Sequence, residues 1–359
     1  MNDFKPGLEG VVAFQTEIAE PDREGGALRY RGVDIEELVG QVPYERVWGL
    51  LVDESLDPGM PEPEAYEPAS LTGNAPSDLQ AETARLSSVW GLRKLVDLEP
   101  DDARDDLARL SAQMMSIVAQ SAAVHDGREP AADDVVAEGE TAAEKFLLRW
   151  RGEADPDHVK AIDTYWVCTA EHGLNASTFT ARITASTGAD CGAAMSAAVG
   201  ALSGPLHGGA PARVLPMLDE VARTGEPEEY VRGILESHGK IMGFGHRVYR
   251  AEDPRSRILK RTAKELGSPR YEVAEALEEA ALVALHERKP DYVIATNVEF
   301  YSAVVLDVAQ VPPDLTPAMF ACARVGGWAA HILEEKRTGR LIRPSAQYIG
   351  PETRSLSAV

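Results

Sequence analysis

Apolar residues return every three or four positions through most of this chain, and that period leaves room for little except helices. Leu107, Leu110, Met114, Ile117 and Val118 share one such face, because a spacing of three to four residues lines up along one side of a helix. Residues 135–150 and 157–171 follow the same rule, the second turning Ile162, Trp166 and Val167 inward. Further helices are expected at 44–52, around Val214, Leu215 and Leu218, at 227–237, along Val273, Leu277, Ala280, Ala281 and Ala284, and at 317–336. Asp34 offers a cap for a short helix through Ile35, Leu38 and Val39. Residues 192–202 are Ala-rich and almost uncharged, as suits a helix buried on most sides, in the core or at a subunit interface. The best strand candidates, 10–18 and 27–31, are short and separated by Pro21 and Gly25-Gly26, so they predict one small hairpin. Residues 57–79 are rich in Pro, Glu, Ser and Gly and read as an exposed loop. Pro312-Pro313 breaks the chain, and Leu341 to Pro344 reads as an extended tail. The expected fold is all-α with a small N-terminal β-hairpin. At 359 residues it exceeds what one core usually holds, so two lobes are expected.

Charge narrows the function. The net charge of −22 repels nucleic acid and anionic membranes, so neither is an expected partner. No apolar run approaches the roughly 18 residues of a membrane span. The N-terminal residues lack the pattern of a signal peptide, and the expected location is the cytoplasm. Residues 240–261 stand out as a basic island. Lys240, Arg247, Arg250, Arg255, Arg257, Lys260 and Arg261 face only Glu252 and Asp253 in the sequence, a pattern that suits an anionic small molecule. Cys168, Cys191 and Cys322 have no metal or redox spacing and are expected to be reduced and mostly buried. No cluster has metal-ligand spacing, so no metal is expected.

Two motifs carry the chemistry. Ser203-Gly-Pro-Leu-His-Gly-Gly-Ala210 and Met242-Gly-Phe-Gly-His-Arg-Val-Tyr249 each set one histidine, His207 and His246, among glycines. Glycine admits a close ligand, and histidine exchanges a proton near neutral pH. His172 and Asn175 lie in Ala170-Glu-His-Gly-Leu-Asn-Ala-Ser-Thr-Phe179, Arg255 in Asp253-Pro-Arg255, and Glu299 in Thr296-Asn-Val-Glu-Phe-Tyr301; Arg324 and Arg343 follow. These residues recur at element ends beside Gly or Pro. His125, His158, His238, His286 and His331 lack that setting and read as packed or surface residues.

Taken in order, Glu171-His-Gly-Leu-Asn-Ala-Ser-Thr178, Gly204-Pro-Leu-His-Gly-Gly-Ala210, Gly243-Phe-Gly-His-Arg-Val-Tyr249, Asp253-Pro-Arg255, Asn297-Val-Glu-Phe-Tyr301 and Arg343-Pro344 resemble the citrate synthase family, most nearly its shorter bacterial, actinobacterial-type members. The resemblance covers nearly the whole chain. It implies a helical homodimer in which residues 1–210 and 315–359 form a large domain that dimerises, and residues 211–314 a small domain closing over the cleft. It implies that His207 hydrogen-bonds the thioester oxygen of acetyl-CoA and that His246 does the same for the ketone of oxaloacetate. His172, Arg255 and Arg324 would hold the oxaloacetate carboxylates, with Arg343 arriving from the partner subunit. Met242, Gly243, Phe244 and Gly245 would lie along CoA, and Glu299 would be the base that takes a methyl proton. Acetyl-CoA enters as a substrate, and no cofactor is implied. The chemistry agrees: a weakly acidic thioester needs a base together with a donor on its oxygen, and guanidinium groups suit a dicarboxylate.

Two residues depart from the family pattern. Glu299 stands where the family has Asp, and one extra methylene moves the carboxylate by about 1.5 Å on a fixed backbone. Thr296 stands where Pro is common before the Asn, which predicts a looser support for Glu299. The same motifs also fit 2-methylcitrate synthase, which takes propionyl-CoA, and a non-catalytic paralogue that binds CoA or a dicarboxylate.

Overall fold

A computed structural model of the chain describes residues 4–22, 24, 26–208, 213–245 and 252–355. His246, Arg247, Arg250 and the Gly209-Ala210 end of the first histidine motif lie outside the described residues.

Three short strands, β1 (Ala19–Asp22), β2 (Ala27–Tyr30) and β3 (Val33–Asp34), form an antiparallel sheet in that order. Helices follow: α1 (Ile35–Leu38), α2 (Tyr44–Asp53), α3 (Ala75–Val89), α4 (Pro100–His125), α5 (Asp133–Val136), α6 (Ala142–Arg151), α7 (Pro156–Thr169), α8 (Ala176–Ser186), α9 (Cys191–Leu202), α10 (Val214–Thr224), α11 (Pro227–Glu236), α12 (Pro254–Glu265), α13 (Tyr271–Arg288), α14 (Val298–Val308) and α15 (Thr316–Thr338). The all-α expectation holds, and the tail from residue 340 to 355 is extended and almost wholly exposed. Cys168, Cys191 and Cys322 are buried and unbridged. Among the described residues, no helix is long and apolar enough to cross a membrane.

Three local expectations are corrected. Residues 10–18 are not a strand. Val11 and Val12 are 44% and 86% exposed and have no core to face, whereas pairing from Ala19 opposite Tyr30 turns Leu28 and Tyr30 inward. The hairpin therefore starts later and gains a third strand. Residues 57–79 are not all loop either, because α3 begins at Ala75. Asn74 caps it by accepting the Ser77 N–H, and Pro76 sits in its first turn, so residues that suit a loop serve here as a helix start. Asp78 is buried, accepts the N–H groups of Thr72 and Gly73 at 3.0 Å each, and receives the Ser121 hydroxyl from α4. Residues 135–150 form two helices. Thr141 and Glu144 make a capping box that starts α6 afresh.

The core is built on α15, which is buried on every side from Ala321 to Leu333. It packs against α2, α4, α7, α8 and α9, while α9 lies across α3 and α8. The small residues of 192–202 permit that close crossing. The helices α10, α11 and α13 pack on one another, α10 and α13 reach α14, and α12 with α14 joins this group to α7. Arg182 on α8 ties α15 to the N-terminal arm. Its guanidinium is 2% exposed, donates to Glu335 at 2.9 Å and to Glu334 at 2.5 Å, and lies 4.3 Å from the centre of the Phe14 ring. Glu334 in turn accepts the Glu17 N–H and the Thr16 hydroxyl. Removing one partner of a buried ion pair leaves uncompensated charge. Arg182→Met is therefore expected to lower the stability of the chain by about 3–5 kcal/mol, read by denaturant unfolding.

Candidate active site

His207 lies in the turn that ends α9, where its N–H reaches Gly204 O and the Gly208 N–H reaches Leu202 O. The ring is set by a neighbour from a distant segment. His207 Nε2 sits 2.9 Å from Ser177 Oγ, which also accepts the Trp328 indole N–H at 3.2 Å and donates to Asn175 Oδ1 at 2.8 Å. Asn175 Oδ1 also accepts the Thr178 N–H and so caps α8. With the Ser177 proton on Asn175, Nε2–H is the donor. With that hydroxyl turned to His207, the ring proton moves to Nδ1, and both tautomers fit the same contact. Phe320 meets the ring edge-on at 6.1 Å. Burial, and after it the nearby charge of Arg324, pushes the imidazole down to about 4. His207 is therefore neutral at neutral pH, able to donate a hydrogen bond without carrying charge.

Arg324 is buried on α15. Its Nε donates to Thr169 O at 2.6 Å, its plane covers Phe320 at 4.6 Å, and Nη1 has no hydrogen-bond partner among the described residues. Burial lowers its pKa, Glu171 opposes that, and Arg255 adds to it. An unpaired buried guanidinium nitrogen costs free energy unless a partner completes it, so Nη1 is a donor suited to an anion. Next to it, His172 is buried and donates its N–H to Glu171 Oε1 at 2.8 Å. Glu171 is fully buried, with His331 Nε2 3.4 Å from Oε1 and Oε2 lying against Gly327. A Cβ at Gly327 would stand 2.1 Å from that oxygen and 2.6 Å from Ala170 O.

Glu299 and Arg255 enter on the first turns of α14 and α12. Asp253 caps α12 and grips Arg255 twice, Nε to Oδ1 at 3.0 Å and Nη2 to Oδ2 at 2.9 Å. The same carboxylate accepts the Val298 N–H at 3.0 Å, so Arg255 and the residue before Glu299 share one anchor. Burial raises the Glu299 carboxyl above its usual range, Arg255 opposes this and Asp253 adds to it. The loop Met242 to Gly245 runs antiparallel to 295–297. Gly245 N–H reaches Ala295 O at 2.8 Å, Asn297 N–H reaches Gly243 O at 2.9 Å, and Asn297 Nδ2 donates to Gly245 O at 2.9 Å. Gly243 has φ of +87° and would press any Cβ into Phe300 at 2.7 Å, so only glycine fits there.

Arg324 acts on His207, and Arg255 acts on both Arg324 and Glu299, so these groups lie in succession near one another, with the Met242–Gly245 loop against α14. Arg343 does not join them. It lies exposed on the extended tail, and among the described residues none pairs with it. The basic island is also corrected. Arg255 is held by Asp253, Arg257 by Glu36 and Glu252, Arg261 by Glu36, and Lys260 by Glu275 and Glu278, so acids from distant segments already neutralise much of it. Sequence reasoning missed Trp328 and Glu171 as parts of the site. Their only signals are the Ser177 and His172 motifs that they touch. Among the described residues, no group of three metal-ligating side chains converges.

The family described as "Citrate synthase, C-terminal domain" matches residues 7–345. The chain is 57% identical to a protein provisionally named citrate synthase 2 in Mycobacterium tuberculosis, over 99% of this chain and 96% of that one. It is 35% identical to a citrate synthase of Synechocystis, over 97% and 91%. Its fold superposes on the citrate synthase of Thermoplasma acidophilum, solved with carboxymethyl coenzyme A and oxaloacetate, with a TM-score of 0.85 at 27% identity over 98% of both chains. The chain belongs to the citrate synthase family, and with it to the acyltransferases that convert the acyl group to alkyl on transfer. Gly327→Ala is expected to destabilise the fold by about 2–3 kcal/mol through forced overpacking against Glu171, read by thermal and denaturant unfolding.

Proposed function

We propose that the chain condenses acetyl-CoA with oxaloacetate and hydrolyses the resulting citryl-CoA to citrate and CoA. The observation that carries this reading is the pairing of a neutral, half-buried His207 with an orphaned Nη1 on the nearby Arg324, whose neighbour Arg255 also acts on Glu299. In this reading Glu299 takes a proton from the acetyl methyl group as His207, through Nδ1–H, hydrogen-bonds the thioester oxygen, so that charge does not accumulate on carbon. The enol carbon then bonds to the ketone carbon of oxaloacetate, and the ketone oxygen takes the proton that His246 supplies. Arg324, Arg255 and His172 hold the carboxylates. Water finally displaces CoA from the thioester. No metal or cofactor takes part.

Residues 211–314, which include α10 to α14, act as the small domain that closes over this region. Residues 1–210 and 315–359 form the large domain of a homodimer. Arg343 serves the partner's site, a role supported by its exposed, extended tail, where Leu341, Tyr348 and Ile349 also lie bare. Three reduced cysteines fit a cytoplasmic location.

Thiol release on mixing the protein with oxaloacetate and acetyl-CoA tests the reading. Faster release with propionyl-CoA at low concentration would replace it with 2-methylcitrate synthesis, and no release with either would leave a non-catalytic binder. Glu299→Gln is expected to lower kcat by about 100- to 10,000-fold, the range of a lost general base. The pH profile has a predictable sign. Glu299 must be ionised to act and its pKa is raised, so kcat falls with acidification at a pH above the usual carboxylate range. His207 stays neutral down to about 4, so it does not set that limb. A limb at the usual carboxylate range would remove Glu299 from the role.

A further inference from the structure

Thr296, which stands in place of the family's common proline, is not a loose end. Its hydroxyl donates to Glu278 Oε1 of α13 at 2.5 Å. The other oxygen, Oε2, accepts the Tyr301 hydroxyl at 2.6 Å and Lys260 Nζ at 2.8 Å. One carboxylate, 12% exposed, therefore grips the chain three residues before Glu299 and two residues after it. Thr296 also forms the bridge with Phe244, whose hydrogen bonds use the N–H groups of Gly245 and Asn297 rather than its own. A proline could keep that bridge but would lose the hydroxyl anchor. Burial and then Glu278 raise the Tyr301 phenol, which keeps its proton and remains a donor.

We infer that Glu278, acting through Thr296 and Tyr301, is a positioning residue that sets the first turn of α14 for the longer Glu299 side chain. The inference rests on the reading of Glu299 as the base. Asn297 and Asp253 fix the backbone N–H groups of this turn, at Glu299 and Val298. Glu278 fixes the side chains on either side of it, which resists sliding or rotation of the turn. A misplacement near 1 Å at a reacting group can cost on the order of 100-fold in rate. A side chain one methylene longer than aspartate has one more torsion to restrain, and the double grip supplies the restraint.

Steady-state kinetics of Thr296→Val, Thr296→Ser and Glu278→Gln test this. Thr296→Val and Glu278→Gln are each expected to lower kcat by about tenfold, with KM for both substrates within about twofold. Both should also move the acidic limb of kcat to lower pH, because a looser turn admits water to the Glu299 carboxyl. Thr296→Ser, which keeps the hydroxyl, should retain kcat within about threefold and leave the limb in place. A Thr296→Val enzyme with unchanged kcat and limb would overturn the inference, as would a Thr296→Ser enzyme that falls as far as Thr296→Val. A drop in kcat with the limb unmoved reports general damage and also overturns it. Glu299→Gln separates the two levels. Full activity in that variant removes the base assignment and the inference with it, whereas loss there with Thr296→Val unaffected removes the inference alone.

Discussion

The burial of the Arg324 guanidinium inside α15 is the constraint to which the other parts of the site answer. A cation in an apolar interior is costly unless its donors are met. Thr169 O takes one donor, Phe320 lies under the plane, and the fully buried Glu171 supplies the opposing charge. Glu171 fits only because position 327 lacks a Cβ. The same carboxylate receives the His172 N–H, and Tyr30 OH from β2 receives the Glu171 N–H at 3.3 Å. The small N-terminal sheet is thus a brace for the peptide that carries His172. The arm before it reaches the same helix through Glu17, Glu334 and Arg182.

Much of this could be read in the sequence, and the reasons are local. A period of three to four is fixed by helix geometry, so the helices were legible without neighbours. His207 stood out because the two glycines that follow it are costly unless the backbone needs them. What escaped was set by contacts between remote positions. Trp328 meets Ser177 across 151 residues, and nothing in either segment announces the other. The basic island misled for the same reason. Glu36 lies more than 200 positions before Arg257 and Arg261, yet it pairs with both. Residues 10–18 misled because β-branched side chains alone do not make a strand when no partner is in register. The Thr296 anchor could not be foreseen either. A threonine in place of proline reads as a weakness until α13 brings Glu278 beside it.

Electrostatics and packing pull in opposite directions at His207. The surroundings that keep the ring neutral are those that make its protonation costly. Its folded pKa, near 4, lies below the usual value for histidine. The stability it contributes is therefore complete above about pH 6.5 and is lost as pH falls toward 4. Glu299 works in the opposite sense. Its carboxyl is raised, so folding favours the protonated form, and keeping it ionised near neutral pH costs stability. The two groups thus respond to their surroundings alike: burial favours the uncharged form of both, imidazole and carboxyl.

The supports of His207 and Glu299 differ. His207 needs orientation, and the Ser177 hydroxyl, itself held by Trp328, provides it through Nε2; the ring proton sits on Nδ1 when that hydroxyl turns from Asn175 to the ring. Glu299 is a carboxyl side chain in a partly dry setting, so its own environment drives the charged form toward water or toward a proton. Holding it requires restraint from outside the side chain. The N–H groups of the turn are held by Asn297 and Asp253, and the flanking side chains by Glu278, from three different segments. Asp253 holds Arg255 and the Val298 N–H with the same carboxylate, so a shift of Arg255 is tied to a shift of the turn that carries Glu299. A ligand that draws Arg255 toward it would therefore also act on the turn that carries Glu299, because one carboxylate holds both.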